Sequence, residues 1–99
     1  TNLKKLNVSN CNLQSLSSEN LPTSIEGIGA GYNPNLQLNL KDFTNLKKLN
    51  VSNCNLQSLS SENLPTSIEV IYAKGNPGLQ IDPSLYDKTK FPNLIGIVR

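Results

Sequence analysis

The sequence predicts a β-rich solenoid of stacked repeats, and three observations carry that prediction. Residues 1–26, TNLKKLNVSNCNLQSLSSENLPTSIE, return letter for letter as residues 44–69, so the chain is built on a 43-residue step. Each copy then divides into two apolar patterns, Leu3-x-x-Leu6-x-Val8-x-x-Cys11-x-Leu13 and Ile25-x-x-Ile28-x-Ala30-x-x-Asn33. Leu46, Leu49, Val51, Cys54 and Leu56 repeat the first, and Ile68, Ile71, Ala73 and Asn76 repeat the second. The third observation is the alternation Leu6-x-Val8, the period-two signal of a short strand with one buried face.

Units therefore start near residues 3, 25, 46, 68 and 94, at spacings of 22, 21, 22 and 26. Each supplies one strand, and none can bury its apolar face alone, so the strands stack into a parallel sheet and stability comes largely from neighbouring units. The return segments bury Leu13, Leu16 and Leu21 or their equivalents. Leu21-Pro22 and Leu64-Pro65 disfavour a long helix in those returns and predict extended or one-turn structure. Asp82-Pro83-Ser84 has the form of a helix cap followed by proline at the first helical position, which predicts one helical turn before Tyr86. Leu40 to Phe43 is the candidate for the equivalent turn. In the fifth unit Leu94-x-x-Ile97 is followed by Arg99 where an apolar residue is expected, so the array ends inside a final strand.

Four consecutive matches in register, covering nearly the whole chain, resemble the leucine-rich repeat, whose template is L-x-x-L-x-L-x-x-N/C-x-L. There are two departures: the leucine after Asn33 and Asn76 (Leu36, Leu79) comes one position late, and the fifth unit is incomplete. The resemblance implies an α/β repeat solenoid rich in β-structure. It further implies a right-handed superhelix with a curved parallel sheet on the concave face and short 3-10 or extended returns. It also implies that the concave sheet binds another protein.

At 99 residues and 36% hydrophobic, the chain reads as one domain over residues 1–99, about four and a half repeats. It has no apolar run long enough to cross a bilayer and no signal-like N-terminus. A start at Thr and the lack of Met suggest a fragment, or a processed or engineered product. Cys11 and Cys54 occupy the same position two units apart, which places them about 10 Å from each other. A disulfide needs Cα atoms within about 7 Å, so two free thiols are expected. Cys11, Asn33, Cys54 and Asn76 form one column, read as buried side chains that bond the backbone where each strand turns outward. Two cysteines without histidine cannot complete an ordinary zinc site, and no metal or other cofactor is expected. Free cysteines lean toward a reducing compartment. The sequons at Asn7 and Asn50 fall on the inner strand, where a glycan would cover the surface. Both features favour an intracellular, cytoplasmic setting.

Nothing in the chain points to an enzyme. There is no His, which excludes Ser-His-Asp and Cys-His arrangements within it, and no carboxylate pair is placed for acid and base roles. The run Gly27-Ile28-Gly29-Ala30-Gly31 alternates along a strand, with no following helix and no GKS/T ending, so it is not a phosphate loop. A net charge of +2, from nine basic and seven acidic residues, is too balanced for a nucleic-acid or membrane surface. The column Lys4, Glu26, Lys47, Glu69 alternates in sign and is expected to form a solvated ladder that sets repeat register.

Outward-pointing strand positions follow from the pattern. One column is Lys5, Gly27, Lys48, Val70, and the next is Asn7, Gly29, Asn50, Tyr72. Then come Ser9, Gly31, Ser52, Lys74 and finally Asn10, Tyr32, Asn53, Gly75. Between the two copies Gly27, Gly29, Gly31 and Tyr32 are replaced by Val70, Tyr72, Lys74 and Gly75, almost wholly at these positions while the core pattern is kept. The candidate partner-binding residues are Lys5, Asn7, Gly27, Gly29, Tyr32, Lys48, Asn50, Val70, Tyr72 and Lys74. Tyr32 and Tyr72, beside the patch left by the glycines, are read either as a contact centre or as shields for neighbouring backbone. The expected function is a non-enzymatic protein-binding module. Two alternatives stand beside it: a structural or engineered block that forms homo-oligomers through exposed repeat ends, and regulatory repeats of a larger enzyme.

Overall fold

A computed structural model of the chain describes residues 3–17, 19 and 21–99. Its strands are β1 Lys5–Asn7, β2 Ser15–Ser17, β3 Gly27–Gly29, β4 Gln37–Asn39, β5 Lys48–Asn50, β6 Ser58–Leu59, β7 Val70–Tyr72, β8 Gln80–Ile81 and β9 Gly96–Val98. The odd-numbered strands form one parallel sheet in chain order, β1-β3-β5-β7-β9. Its register aligns Leu6, Ile28, Leu49, Ile71 and Ile97 in one row, the row that the apolar repeat defines. The first three joints begin with the same pair of hydrogen bonds, and at the fourth the Ile95 amide donates to the Glu69 carbonyl. The amides of Glu26 and Gly27 both donate to the Lys4 carbonyl, those of Lys47 and Lys48 to Glu26, and those of Glu69 and Val70 to Lys47. In the opposite direction Val8 donates to Gly29, Ala30 to Asn50, Val51 to Tyr72 and Ala73 to Val98, at 2.7–2.8 Å.

The returns are extended, as the Leu-Pro pairs require. Part of each pairs with its neighbour, giving two small parallel sheets, β2-β4 and β6-β8. Leu16, Leu38, Leu59 and Ile81 of these strands pack into the same core as Leu49, Ile71, Phe43 and Phe91. Asp82 caps a 3-10 turn, Pro83–Tyr86, by accepting from the Ser84 amide at 3.0 Å, and Leu85 on that turn is buried. Leu40 to Phe43 closes a comparable turn, with the Phe43 amide on the Leu40 carbonyl at 3.0 Å. Among the described residues there is no α-helix, so the architecture is a parallel β-solenoid of about four turns with almost no helix, where α/β had been expected. The physical reason is that each return is short and broken by proline. No helix of the described residues is long and apolar enough to cross a membrane.

Buried asparagines tie the turns together. Asn33 Oδ1 accepts from the amides of Cys11 and Leu13, at 3.0 and 2.9 Å, and its Nδ2 donates to the carbonyls of Val8 and Ala30. Asn76 repeats this with Cys54, Leu56, Val51 and Ala73. One carboxamide thus satisfies four main-chain groups that the outward bend would otherwise strand. Both cysteines are free. Cys54 is buried, and its thiol donates to the Ala30 carbonyl of the preceding turn at 3.1 Å. Cys11, expected to be buried in the same column, is exposed, since among the described residues no turn stacks on its side of β1. The alternating-charge ladder is likewise reduced to one ion pair, Lys4 Nζ with Glu26 at 3.1 Å, both side chains well solvated.

Candidate interaction surface

The outward rows of the long sheet are Lys5, Gly27, Lys48, Val70, Gly96 and Asn7, Gly29, Asn50, Tyr72, Val98. They coincide with the first two columns read from the sequence. Gly27 and Gly29 have ordinary φ, and a Cβ on either would approach no neighbouring atom closer than 3.6 Å. Their smallness is therefore required neither by backbone conformation nor by packing. Its effect is to lower the middle of the sheet between two identical rims, Lys5 and Asn7 on β1 and Lys48 and Asn50 on β5. The resulting trough has a volume of about 450 Å³, and Tyr72 lines it from the next strand.

The rims are chemically alike. Lys5 and Lys48 stand on either side of Gly27 in the outward row. Asn7 and Asn50 flank Gly29, and their Oδ1 atoms accept from the amides of Ser9 and Ser52 at 3.0 and 3.1 Å. This Asx bond fixes each carboxamide and leaves its Nδ2 as a donor at the trough. It also gives the asparagine of each sequon a structural reason. The two outward rows hold no carboxylate, so the trough offers hydrogen-bond donors, an aromatic wall and bare backbone.

Other candidates lie elsewhere. Tyr32 was placed by pattern on the outward strand face, but β3 ends at Gly29, and Tyr32 sits past it in a turn with φ 61°, 60% exposed. It does not line the trough, so the expected pairing of Tyr32 with Tyr72 in one contact centre does not form. Lys74 likewise lies beyond the end of β7, and Gly31 is buried, with a Cβ there only 3.2 Å from the Ser52 carbonyl. The structure brings together Lys5, Asn7, Gly27, Gly29, Lys48, Asn50 and Tyr72, with Val70 beside Lys48 in the outward row.

Sequence reasoning missed a second groove of about 590 Å³ on the return side, lined by Gln37, Leu38, Asn55, Gln57, Ser58 and Asn63 among others. It opens where β4 and β6 fail to pair. The one unit spacing of 21 between spacings of 22 falls at this joint and is the only trace of it in the sequence. Burial pushes the Cys54 thiol above its ordinary pKa, against the weaker lowering by main-chain hydrogen bonds at Asn33 and Tyr32, so the thiol stays protonated at neutral pH. Among the described residues no group of three or more His, Cys, Asp or Glu side chains is placed to hold a metal ion.

The family model described as the Endo-beta-N-acetylglucosaminidase EndoS LRR domain matches residues 1–71. The chain belongs to that leucine-rich repeat family. Comparison with curated proteins and with solved structures returned no match. Leucine-rich repeats of this kind are repeat modules, usually without catalysis, although the family takes its name from an enzyme.

Proposed function

We propose that this leucine-rich repeat array is a non-enzymatic recognition module that holds a segment of a partner protein in the trough over Gly27 and Gly29. The observation that carries the reading is the exchange between turns. Where β3 has Gly27 and Gly29, β7 has Val70 and Tyr72 on the same outward rows. The fold accepts large side chains at these positions, and the trough is a property of the chosen residues. Tyr72 supplies a rigid aromatic wall that buries much area at small entropic cost. The concave curvature and right-handed coiling expected of leucine-rich repeats belong to this reading, since parallel crossovers take that hand. The family name associates such domains with an endo-β-N-acetylglucosaminidase, which extends the reading to repeats that recognise a partner beside a catalytic domain.

The test is to fill the trough with residues the fold already carries. A Gly27→Val, Gly29→Tyr variant and a Tyr72→Ala variant are compared with the unaltered chain in binding to peptides selected from a displayed random library. Selected peptides should bind both variants at least tenfold more weakly, while circular dichroism and thermal unfolding stay close to those of the parent. Unchanged affinity in both variants would sink the trough as the site.

A further inference from the structure

The small sheets on the return side stop in the middle of the stack. β2 pairs with β4 and β6 with β8, but the facing edges of β4 and β6 stay apart, and the groove of about 590 Å³ lies between them. In a parallel ladder alternate residues serve opposite neighbours, which identifies the main-chain groups on each wall. The Gln37 amide donates to the Gln14 carbonyl, so Gln37 and Asn39 serve β2 and Leu38 faces away from it. The carbonyls of Gln57 and Leu59 accept from Gln80 and Asp82, so Ser58 faces away from β8. The N–H and C=O of Leu38 and of Ser58 therefore look into the groove from its two walls, and among the described residues none of the four groups has a protein partner.

Asn63 holds the walls apart. The inner strands set Gly27 opposite Lys48, and the same offset along the returns would put Gln37 opposite Ser58 and bring the Leu40 amide to the Ser60 carbonyl. Both of these groups are taken by the main chain of Asn63: its carbonyl accepts from Leu40 at 2.9 Å and its amide donates to Ser60 at 3.2 Å. The ladder that would close the joint is blocked at its end, and Leu38 and Ser58 keep free donors and acceptors. We propose that this groove binds an extended peptide, whose main chain pairs with the open edges at Leu38 and Ser58.

The lining fits that occupant. Asn35, Gln37, Asn55 and Asn63 bring carboxamides beside buried Leu36 and Leu56. Each carboxamide can both donate and accept, which matches the alternating N–H and C=O of a peptide. None of the lining side chains is charged, so a segment with uncharged side chains is favoured, and none is an aromatic ring that could stack on the face of a sugar. At about 3.3 Å per residue, a three-residue edge such as β4 offers about 10 Å of template, enough for about three or four residues of strand. Strand addition at an open edge draws its affinity from main-chain hydrogen bonds. The groove shares no lining residue with the trough over Gly27 and Gly29, so the inference stands apart from that reading.

Peptides from a displayed random library, selected on the full chain, test this. Ser58→Pro removes one free donor at an exposed position where no ladder bond is lost. The expected result is a class of uncharged peptides that bind Ser58→Pro at least tenfold more weakly and bind the Gly27→Val, Gly29→Tyr variant unchanged. Methylating the main-chain nitrogens of such a peptide at alternate positions should weaken binding to the unaltered chain at least tenfold for one set of positions and little for the other, a result that does not depend on the folding of the proline variant. In native-state hydrogen exchange the amides of Leu38 and Ser58 should exchange freely in the unliganded chain and slow at least tenfold with the peptide bound. Absence of that peptide class overturns the proposal, and so does a peptide indifferent to methylation. Protected Leu38 and Ser58 amides in the free chain would overturn it as well, because the walls would then close on each other. Slowing of those amides by maltotriose and by no peptide would give the groove to a sugar instead.

Discussion

Tyr32 shows how a single residue can carry a conflict between local and global demands. The column that follows each inner strand adopts left-handed backbone, with φ of 57° at Asn10, 61° at Tyr32, 57° at Asn53 and 76° at Gly75. Asn and Gly tolerate that conformation, whereas a bulky side chain there costs on the order of 1 kcal/mol. Since the ring is largely exposed, Tyr32→Asn should raise unfolding stability by about 0.5–1 kcal/mol. Urea denaturation measures it, and a loss of stability would show that the ring's packing outweighs the strain. The same residue marks where the site was legible. Period-two alternation and a register pinned by buried leucines place positions 5, 7, 27, 29, 48, 50, 70 and 72 correctly on the outward rows. They fail at Tyr32 and Lys74, because the strands end at Gly29 and Tyr72 and the chain then turns. The signal that predicts the turn is the column itself, Asn, Tyr, Asn, Gly, in which three of four residues suit left-handed backbone.

The element that repeats is a strand, a bend held by Asn or Cys, and an extended return. The strands and the bend were legible because burial enforces them: a leucine row has one inward side, and a bend in the core needs a side chain that satisfies main-chain groups. Pairing within the returns was not legible, since three-residue strands such as Ser15–Ser17 carry too few residues for a period to show. The helical component implied by resemblance gave way to proline and short connections. The two asparagine bends differ in one respect. Val51, Cys54 and Leu56, the partners of Asn76, are buried, whereas Val8, Cys11 and Leu13, those of Asn33, are partly or fully open to water. Water can reach the groups of Val8, Cys11 and Leu13 more readily than those of Val51, Cys54 and Leu56, although the Ala30 carbonyl that Asn33 also bonds is buried. Asn76→Ala should therefore cost about 3 kcal/mol or more, and Asn33→Ala roughly half of that, since an unmet buried polar group costs about 1–3 kcal/mol. Chemical denaturation of the two variants compares them, and equal losses would mean that solvent does not reach the outer bend.

At the scale of the molecule, a solenoid's stability is a sum of turns and joints, so position in the stack should matter even where sequence does not. This chain isolates that effect. The amides of Val8 and Asn10 donate to Gly29 and Gly31 at 2.7 and 2.9 Å, and those of Val51 and Asn53 donate to Tyr72 and Lys74 at 2.8 Å each. The local sequences are identical over the 26 residues, so the intrinsic exchange rates of Val8 and Val51, and of Asn10 and Asn53, are equal. Any ratio of their native-state hydrogen exchange rates converts directly into a difference in opening free energy. The inner strand has a neighbour on both sides and the outer strand on one, so β1 opens without breaking the joint between β3 and β5. At concentrations where the chain is single, Val8 and Asn10 should exchange at least tenfold faster than Val51 and Asn53, a difference of about 1.4 kcal/mol or more. Equal rates would mean that the turns open only together and that the array is one cooperative unit.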